Sequence, residues 1–504
     1  MTRAALALAL LPIASWAAPA QALTPDELWG RWQADLAGLG ALLGAPGAAL
    51  SAEESRGPDG ALTLRALTVS EPGLPPATLP PAFPIQAVTL RPMADGSVLV
   101  DLGIPPGGLV VADAGGELRI DEDGLAIVAR DDPAGVAYEV AADTLRVAVH
   151  LPDQYGYGVP PTDVAVEVPG LRLRVPGQLG PGGEAAMEMA AGGYAYVASG
   201  PDPVTGTLGT QAARVEGDLS LSASATLPPS LFAPGASFEM TALRALRDGF
   251  AARMDIVAGT TATEQWVEGA PFPYQASATS EPSSTFFSVD AAAIAAGVEA
   301  ESGTVSVTSP LLPFPRLDVT YGPVALELRL PLGPEPGDFA YRTSLENLAI
   351  NDEAWAALDP EGRLGRDPFH LAVEATGRGT LNAEASLAAA AKYQPAPPPA
   401  FESVDGRAEL SGAGLAATGT ASFTFDAGTG TPVAAGTGSA RVEGLDRLID
   451  ALVAFGAITE ADARDARLGL ATVFRAGDAP DVRVLAFEAR PDGTLLLNGA
   501  PVPF

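Results

Sequence analysis

Two histidines, His150 and His370, are the only imidazoles available for general acid–base work or metal binding. Each lies in an alternating apolar stretch, and neither has a second histidine or a carboxylate at metal-ligand spacing. The reading is ordinary strand positions. With no cysteine, there is no thiolate nucleophile, disulfide or Cys-ligated metal. A Gly-x-Ser-x-Gly elbow is absent, and Ala389 stands three residues before Lys392, the single lysine, so Ser-x-x-Lys chemistry is excluded. Gly412-Ala413-Gly414 resembles a phosphate loop but precedes a predicted strand, Ala421 to Phe425, where a dinucleotide fingerprint needs a helix. Asp121-Glu122-Asp123-Gly124 resembles part of a calcium loop. Counting Gly124 as its sixth position puts Arg119 first and Arg130 twelfth, cations where ligand oxygens are required. A hairpin turn is the expectation there. Any two of the 61 carboxylates could converge as a glycosidase pair, but nothing in the sequence selects one. Tyr155-Gly156-Tyr157-Gly158 and Tyr194-Ala195-Tyr196 could stack on sugars or lipids, but an edge turn and a strand with alternate aromatic positions are the preferred reading. The expectation is therefore no catalytic, cofactor-binding or metal-binding residue and no cofactor.

The 504-residue chain has 29 basic and 61 acidic side chains, a net charge of −32. That excludes nucleic acid as partner, since phosphate binding needs Lys and Arg to release counterions. It also excludes polybasic contact with anionic lipid head groups. The charged fraction is 18% against 47% hydrophobic, which argues for a folded core over disorder. At the N-terminus, Arg3, the apolar run Ala4 to Ile13 and Ala20-Gln21-Ala22 read as a secretory signal peptide cleaved after Ala22. No later run is apolar and long enough to span a membrane, so the mature chain is expected to be periplasmic.

The elements that must position any site are mostly strands. Thr24-Pro25-Asp26-Glu27 opens a helix with a capping box, and Leu28, Trp32 and Leu36 make its apolar stripe. From Ala48 to Pro234 the pattern is short alternating segments. Asp59-Gly60, Asp95-Gly96, Asp123-Gly124 and Asp492-Gly493 each precede an apolar alternation and read as hairpin turns. Val164 to Val175 reads as a strand pair around Pro169-Gly170. Helices are expected at Phe238 to Phe250, with Met240, Leu243 and Leu246 on one side, and from Leu445 to Phe474. The latter breaks at Gly456, restarts at the cap Thr459 and stops at Gly477. Strands resume at Ala251 to Val267 and at Thr304 to Thr308. Asn351 to Leu358 is a short helical turn. Pro72 to Pro84 and Gln394 to Pro399 are loops. In the closing hairpin Leu495 and Leu497 should share the buried face, with Leu496 opposite.

Leu358-Asp359-Pro360-Glu361-Gly362-Arg363-Leu364-Gly365-Arg366-Asp367-Pro368, and Arg441 to Gly499 with its Arg490-Pro491-Asp492-Gly493-Thr494 turn, resemble an alphaproteobacterial secreted family, the domain of unknown function 2125. The resemblance implies a periplasmic location and carries no catalytic residue. The closing helix-then-hairpin pattern also resembles, in architecture, AsmA-like envelope proteins with long, lipid-lined sheets.

The expectation is a mostly β protein: an elongated antiparallel meander, curled into an apolar groove, with helices N-terminal, central and near the C-terminus. Its parts are a signal peptide (1–22), an N-terminal helix with a β meander (23–234), and a second part (235–504) of helix, strands and the C-terminal helix–hairpin unit. The expected role is non-catalytic: binding an apolar or amphipathic ligand such as a lipid, or scaffolding an envelope protein. The alternatives are a carboxylate-dependent hydrolase of envelope glycan and a purely structural or interaction protein.

Overall fold

The computed structural model describes residues 22–502 except 43–47, 71–76, 79–84, 86, 106, 114–115, 133–134, 152–161, 176–181, 202–207, 233–237, 268–272, 391–393, 396–397 and 427–432. Residues 1–21 of the signal-peptide reading, Tyr155–Gly158, Lys392 and most of Pro72 to Pro84 lie outside the described residues. The chain divides into two compact units. One is Met1–Pro271 with Ser288–Ala291 and Ala390–Gln394; the other is Phe272–Phe287, Ala292–Ala389 and Pro395–Phe504. Both are mostly antiparallel strands with few helices.

In the first unit helix α1 (Pro25–Leu42) begins as its sequence requires. The Glu27 carboxylate accepts from Thr24 N and Oγ1 at 2.9 and 2.8 Å, and Thr24 Oγ1 accepts from Glu27 N at 3.2 Å. Leu28, Trp29, Trp32 and Leu36 are buried and pack on strands β1 (Ala49–Arg56) and β2 (Leu62–Ser70), followed in the chain by the short β3 (Ala77–Thr78). They also pack on β4 (Ala87–Pro92) and β5 (Val98–Asp101). Beyond β6 (Leu109–Asp113) and β7 (Gly116–Asp123), β8 (Ala126–Asp132) and the start of β9 (Gly135–Leu151) complete this cluster. Asp59-Gly60 and Asp95-Gly96 are the hairpin turns between β1 and β2 and between β4 and β5, with Gly60 and Gly96 at φ 81°. The Ser97 hydroxyl and Arg130 hold the Asp95 carboxyl well below the usual carboxylate range.

Asp123-Gly124 is different. Strands β7 and β8 both pair with β9, Asp123 opposite Thr144 and Ala126 opposite Ala141, so Gly124 bends one continuous line of chain and does not reverse it. The strand pair expected around Pro169-Gly170 is likewise one strand, β10 (Thr162–Val175). The expected short segments are long: β11 (Gly183–Pro201), β12 (Leu208–Leu227) and, after helix α2 (Phe238–Arg247), β13 (Ala251–Val267) follow β10 in antiparallel order. Met240 and Leu243 of the α2 stripe have side chains outside the described residues.

In place of those turns, a seam of glycine crosses the strands. Gly124 and Gly170 both lie opposite Asp143, and Gly170 approaches Gly192. A Cβ on Gly193 would lie 2.3 Å from Val215 O, and one on Gly259 2.4 Å from Glu216 O. Alternation slips by one residue at the seam. The apolar positions are Val164, Val166 and Val168 before Gly170 and Leu171, Leu173 and Val175 after it. On β9 they are Tyr138, Val140 and Ala142, then Leu145, Val147 and Val149. Gly170 takes a positive φ (60°) at the slip, while β9 and β10 stay in one continuous register across it.

In the second unit the chain runs β14 (Tyr274–Ser280), β15 (Ser283–Val289), β16 (Ala293–Ala300), β17 (Gly303–Thr308), β18 (Leu317–Tyr321), β19 (Val324–Pro331) and β20 (Gly337–Ile350). Helix α3 (Asp352–Leu358), β21 (Phe369–Thr380), helix α4 (Ala383–Ala390), β22 (Ala400–Gly412), β23 (Leu415–Asp426) and β24 (Val433–Glu443) come next. Helices α5 (Leu445–Phe455) and α6 (Glu460–Val473) lead to β25 (Arg475–Ala476), β26 (Val482–Ala489), β27 (Leu495–Leu497) and β28 (Ala500–Pro501). In-register pairing runs β16–β19–β20–β21–β22–β23–β24–β26–β27. The phosphate-loop mimic is the two-residue turn between β22 and β23, with Ala413 and Gly414 at φ 53° and 74°. Helix α4 carries no apolar stripe, which is why the sequence pattern missed it.

The C-terminal unit corrects three expectations. Gly477 is not the helix stop: α6 ends at Phe474, which is extended, and Gly477 donates to Val482 O at 2.8 Å. Leu452, Leu468 and Val473 are exposed, and Ile449, Ala451 and Ala463 carry the burial. Leu496, not its neighbours, is the buried leucine of β27, with Leu495 and Leu497 half-buried. Leu496→Asp should therefore cost about 3–5 kcal/mol, the penalty of an uncompensated buried charge, and Leu495→Asp clearly less. Urea midpoints of the two variants compare them directly; equal losses would contradict the burial.

Candidate functional site

In-register neighbours across strands share a face, so the pairing of the second unit sorts its side chains. One face is crossed by Gly297, Glu327, Arg342, Glu374 and Arg407, each opposite the next, then Thr420 and Ser439. Arg342 donates to Glu374 at 2.9 Å and to Glu327 at 3.3 Å, and Arg407 pairs with Glu409. These carboxylates raise the Arg342 guanidinium further above its usual range, Glu374 first. A cleft of about 450 Å³ lies on this face, with Glu299, Ala325, Ser344 and Ala372 on its next row and Phe286 over Gly297. Lateral charge pairing accounts for these groups. The cleft combines these charged side chains with apolar surface from Phe286, Ala325 and Ala372.

The opposite face is apolar and, among the described residues, half-exposed. Its rows are Val298–Leu326–Thr343–Val373–Ala408–Gly419–Ala440–Leu485 and Leu328–Tyr341–Ala375–Gly406–Ala421–Gly438–Phe487. Phe339, Phe401 and Phe425 and the pair Phe423–Phe487 add aromatic surface, with centroids 5.4–6.3 Å apart. Leu326 is 41% exposed, Tyr341 37% and Phe401 42%. Strands β23 and β24 lie in the middle of this sheet, yet none of their apolar positions is buried. Among the described residues, the cluster of fully buried apolar side chains belongs instead to α1 and the strands beneath it.

The residues singled out in sequence fall apart in space. His150 on β9 bonds Asp163 at 2.6 Å, both well exposed, with Glu117 in register on its other side. His370 on β21 faces Ser411. Asp121 is taken by Arg119, which holds its carboxyl below the usual range, and Glu122 accepts from Leu125 N at 3.0 Å. Tyr194 and Tyr196 sit on β11 as expected for a strand. Among the described residues no group of three His, Asp or Glu could hold a metal ion. No helix among them is long and apolar enough to cross a membrane.

No family model, curated protein or solved structure matches the chain. The two stretches that carry the sequence resemblance do meet. Asp359 is 5% exposed and accepts from Arg363 N and Leu364 N at 2.9 and 2.8 Å, which folds its loop. That loop bonds the β22–β23 turn through Gly365 N to Ala413 O, and Arg363 donates to Asp450 O of α5. Arg447 ties the same turn to Asp481. The arrangement binds loop, turn and helix together, with Asp481 Oδ1 left buried without a partner.

Sequence reasoning missed one group. Asp35 of α1 is 1% exposed, and neither carboxylate oxygen has a hydrogen-bond partner. Burial pushes its carboxyl up to about 8, against the opposing pull of Arg31. Its position one residue before Leu36 and three after Trp32 puts it on the apolar stripe; that spacing is the available signal.

Proposed function

We propose that this is an exported periplasmic protein whose half-exposed apolar sheet face holds an apolar or amphipathic ligand, with acyl chains of lipid as the natural class, and does no chemistry on it. The carrying observation is the half-exposed apolar face across β19 to β26. A sheet buries one face against another layer, and an exposed apolar patch of this extent marks a binding surface. Its middle is a floor of small residues, Ala375, Gly406, Ala421 and Gly438, flanked by Tyr341 on one side and Phe487 on the other. A low floor between two aromatic walls suits a flexible chain lying across the strands.

Export is supported by the N-terminal pattern and by Leu23. That residue is 3% exposed and donates from its N to Gly96 O at 2.9 Å, so a chain cut after Ala22 would start at a packed position. The test is a solvent extract of the protein purified from its native periplasm, analysed by mass spectrometry, with Leu326→Glu and Ala408→Glu alongside. Both positions are exposed, so the variants should fold. Bound lipid should fall by about tenfold or more, equivalent to roughly 1.4 kcal/mol. A wild-type extract free of lipid, or variants that retain it fully, would refute the reading.

A further inference from the structure

We propose that helix α1 is a proton-operated latch: it seats on the first unit's core with Asp35 neutral, and loss of that proton favours its release. The geometry is specific. Leu28, Trp29, Trp32 and Leu36 of α1 are 0–5% exposed, and Asp35 lies among them at 1% with both oxygens unpartnered. The groups around it offer no compensating bond. Arg31 is bound to Asp131 of β8 at 3.0 Å. Tyr138 of β9 accepts from Trp32 Nε1 at 2.8 Å, and the Asp35 charge raises the Tyr138 hydroxyl, as burial does more strongly. Glu54 of β1 accepts from Trp29 Nε1 at 2.8 Å. The short 3-10 segment Pro229–Phe232 touches α1 and holds Ser230, whose hydroxyl is also buried without a partner.

An ionised carboxylate in such a place is costly, whereas a neutral one is tolerated. In the seated helix the Asp35 carboxyl titrates near 8; released into water it returns toward 3.8. Seating therefore takes up a proton between those values. It is tightest below 3.8 and weakens by up to about tenfold per pH unit as pH rises toward 8, above which the slope vanishes.

Hydrogen exchange of the α1 amides in the intact protein, corrected for the intrinsic pH dependence, reads the opening equilibrium. Between about pH 5 and 8 opening should increase by roughly tenfold per unit in the wild type and stay flat in Asp35→Asn, while β12 and β13 show neither trend. A flat wild-type profile overturns the proposal by itself, whether or not the variant folds. So does an equal slope in Asp35→Asn.

Discussion

Gly193→Ala is expected to destabilise the first unit by about 3 kcal/mol or more, the range of a strained backbone combined with a core clash. Gly193 has φ 135°, where an L side chain is strained, and its added Cβ would meet Val215 O at 2.3 Å. That oxygen belongs to the neighbouring strand backbone, so it cannot swing aside. Gly30 is the control. It lies in α1 with nothing within 4 Å of its Cβ position. Gly30→Ala should add about 0.5–1 kcal/mol, since alanine loses less entropy in a helix. Urea titration of both variants measures the contrast, and a Gly193→Ala protein as stable as wild type would mean the seam is not close-packed.

The second large effect separates the two kinds of apolar surface. Leu90 is 0% exposed within the α1 cluster. Leu90→Ala should cost about 2–5 kcal/mol through lost burial and the cavity left behind. Leu328, on the apolar face of β19, is only half-buried. Leu328→Ala should cost about 1 kcal/mol, because part of its surface is already in water and the space it leaves is open to solvent. Calorimetry of ligand-free protein decides this. If the two variants lose equal stability, something covers the β19 face, and the proposed binding surface is occupied by the protein itself.

The mostly β class, the capped N-terminal helix and the C-terminal helix pair are legible in the sequence because local chemistry specifies them. Thr24 with Glu27, and Thr459 with Asp462, form capping boxes within four residues of chain. The strand Ala251–Val267 is legible to its ends. What is not legible needs partners distant in sequence. Asp123-Gly124 and Asp95-Gly96 look alike locally, yet one is a bend opposite Asp143 and the other a hairpin, and only strand pairing separates them. Leu496 is expected on the wet side and is buried, since alternation gives two faces without saying which one is covered. The candidate surface is harder still. Small residues such as Gly406 and Ala421 carry weak pattern signal singly, and they form a surface only when successive strands align them.

The glycine seam also sets how the protein can change in length. Alternation is a phase, and the pairings of β12 with β11 and β13 change register by one residue at the seam. A residue inserted within β10 on either side of Gly170 would invert every side chain between the insertion and the end of the strand. Two residues inserted together would not. At the seam an odd change is absorbed: between the pairs Ala191–Leu219 and Tyr194–Val215, β11 carries Gly192 and Gly193, while β12 carries Glu216, Gly217 and Asp218. The strands resume their register beyond it. Single-residue insertions and deletions in these long strands should therefore be tolerated along one line across the sheet, and the hairpin ends should grow or shrink by pairs.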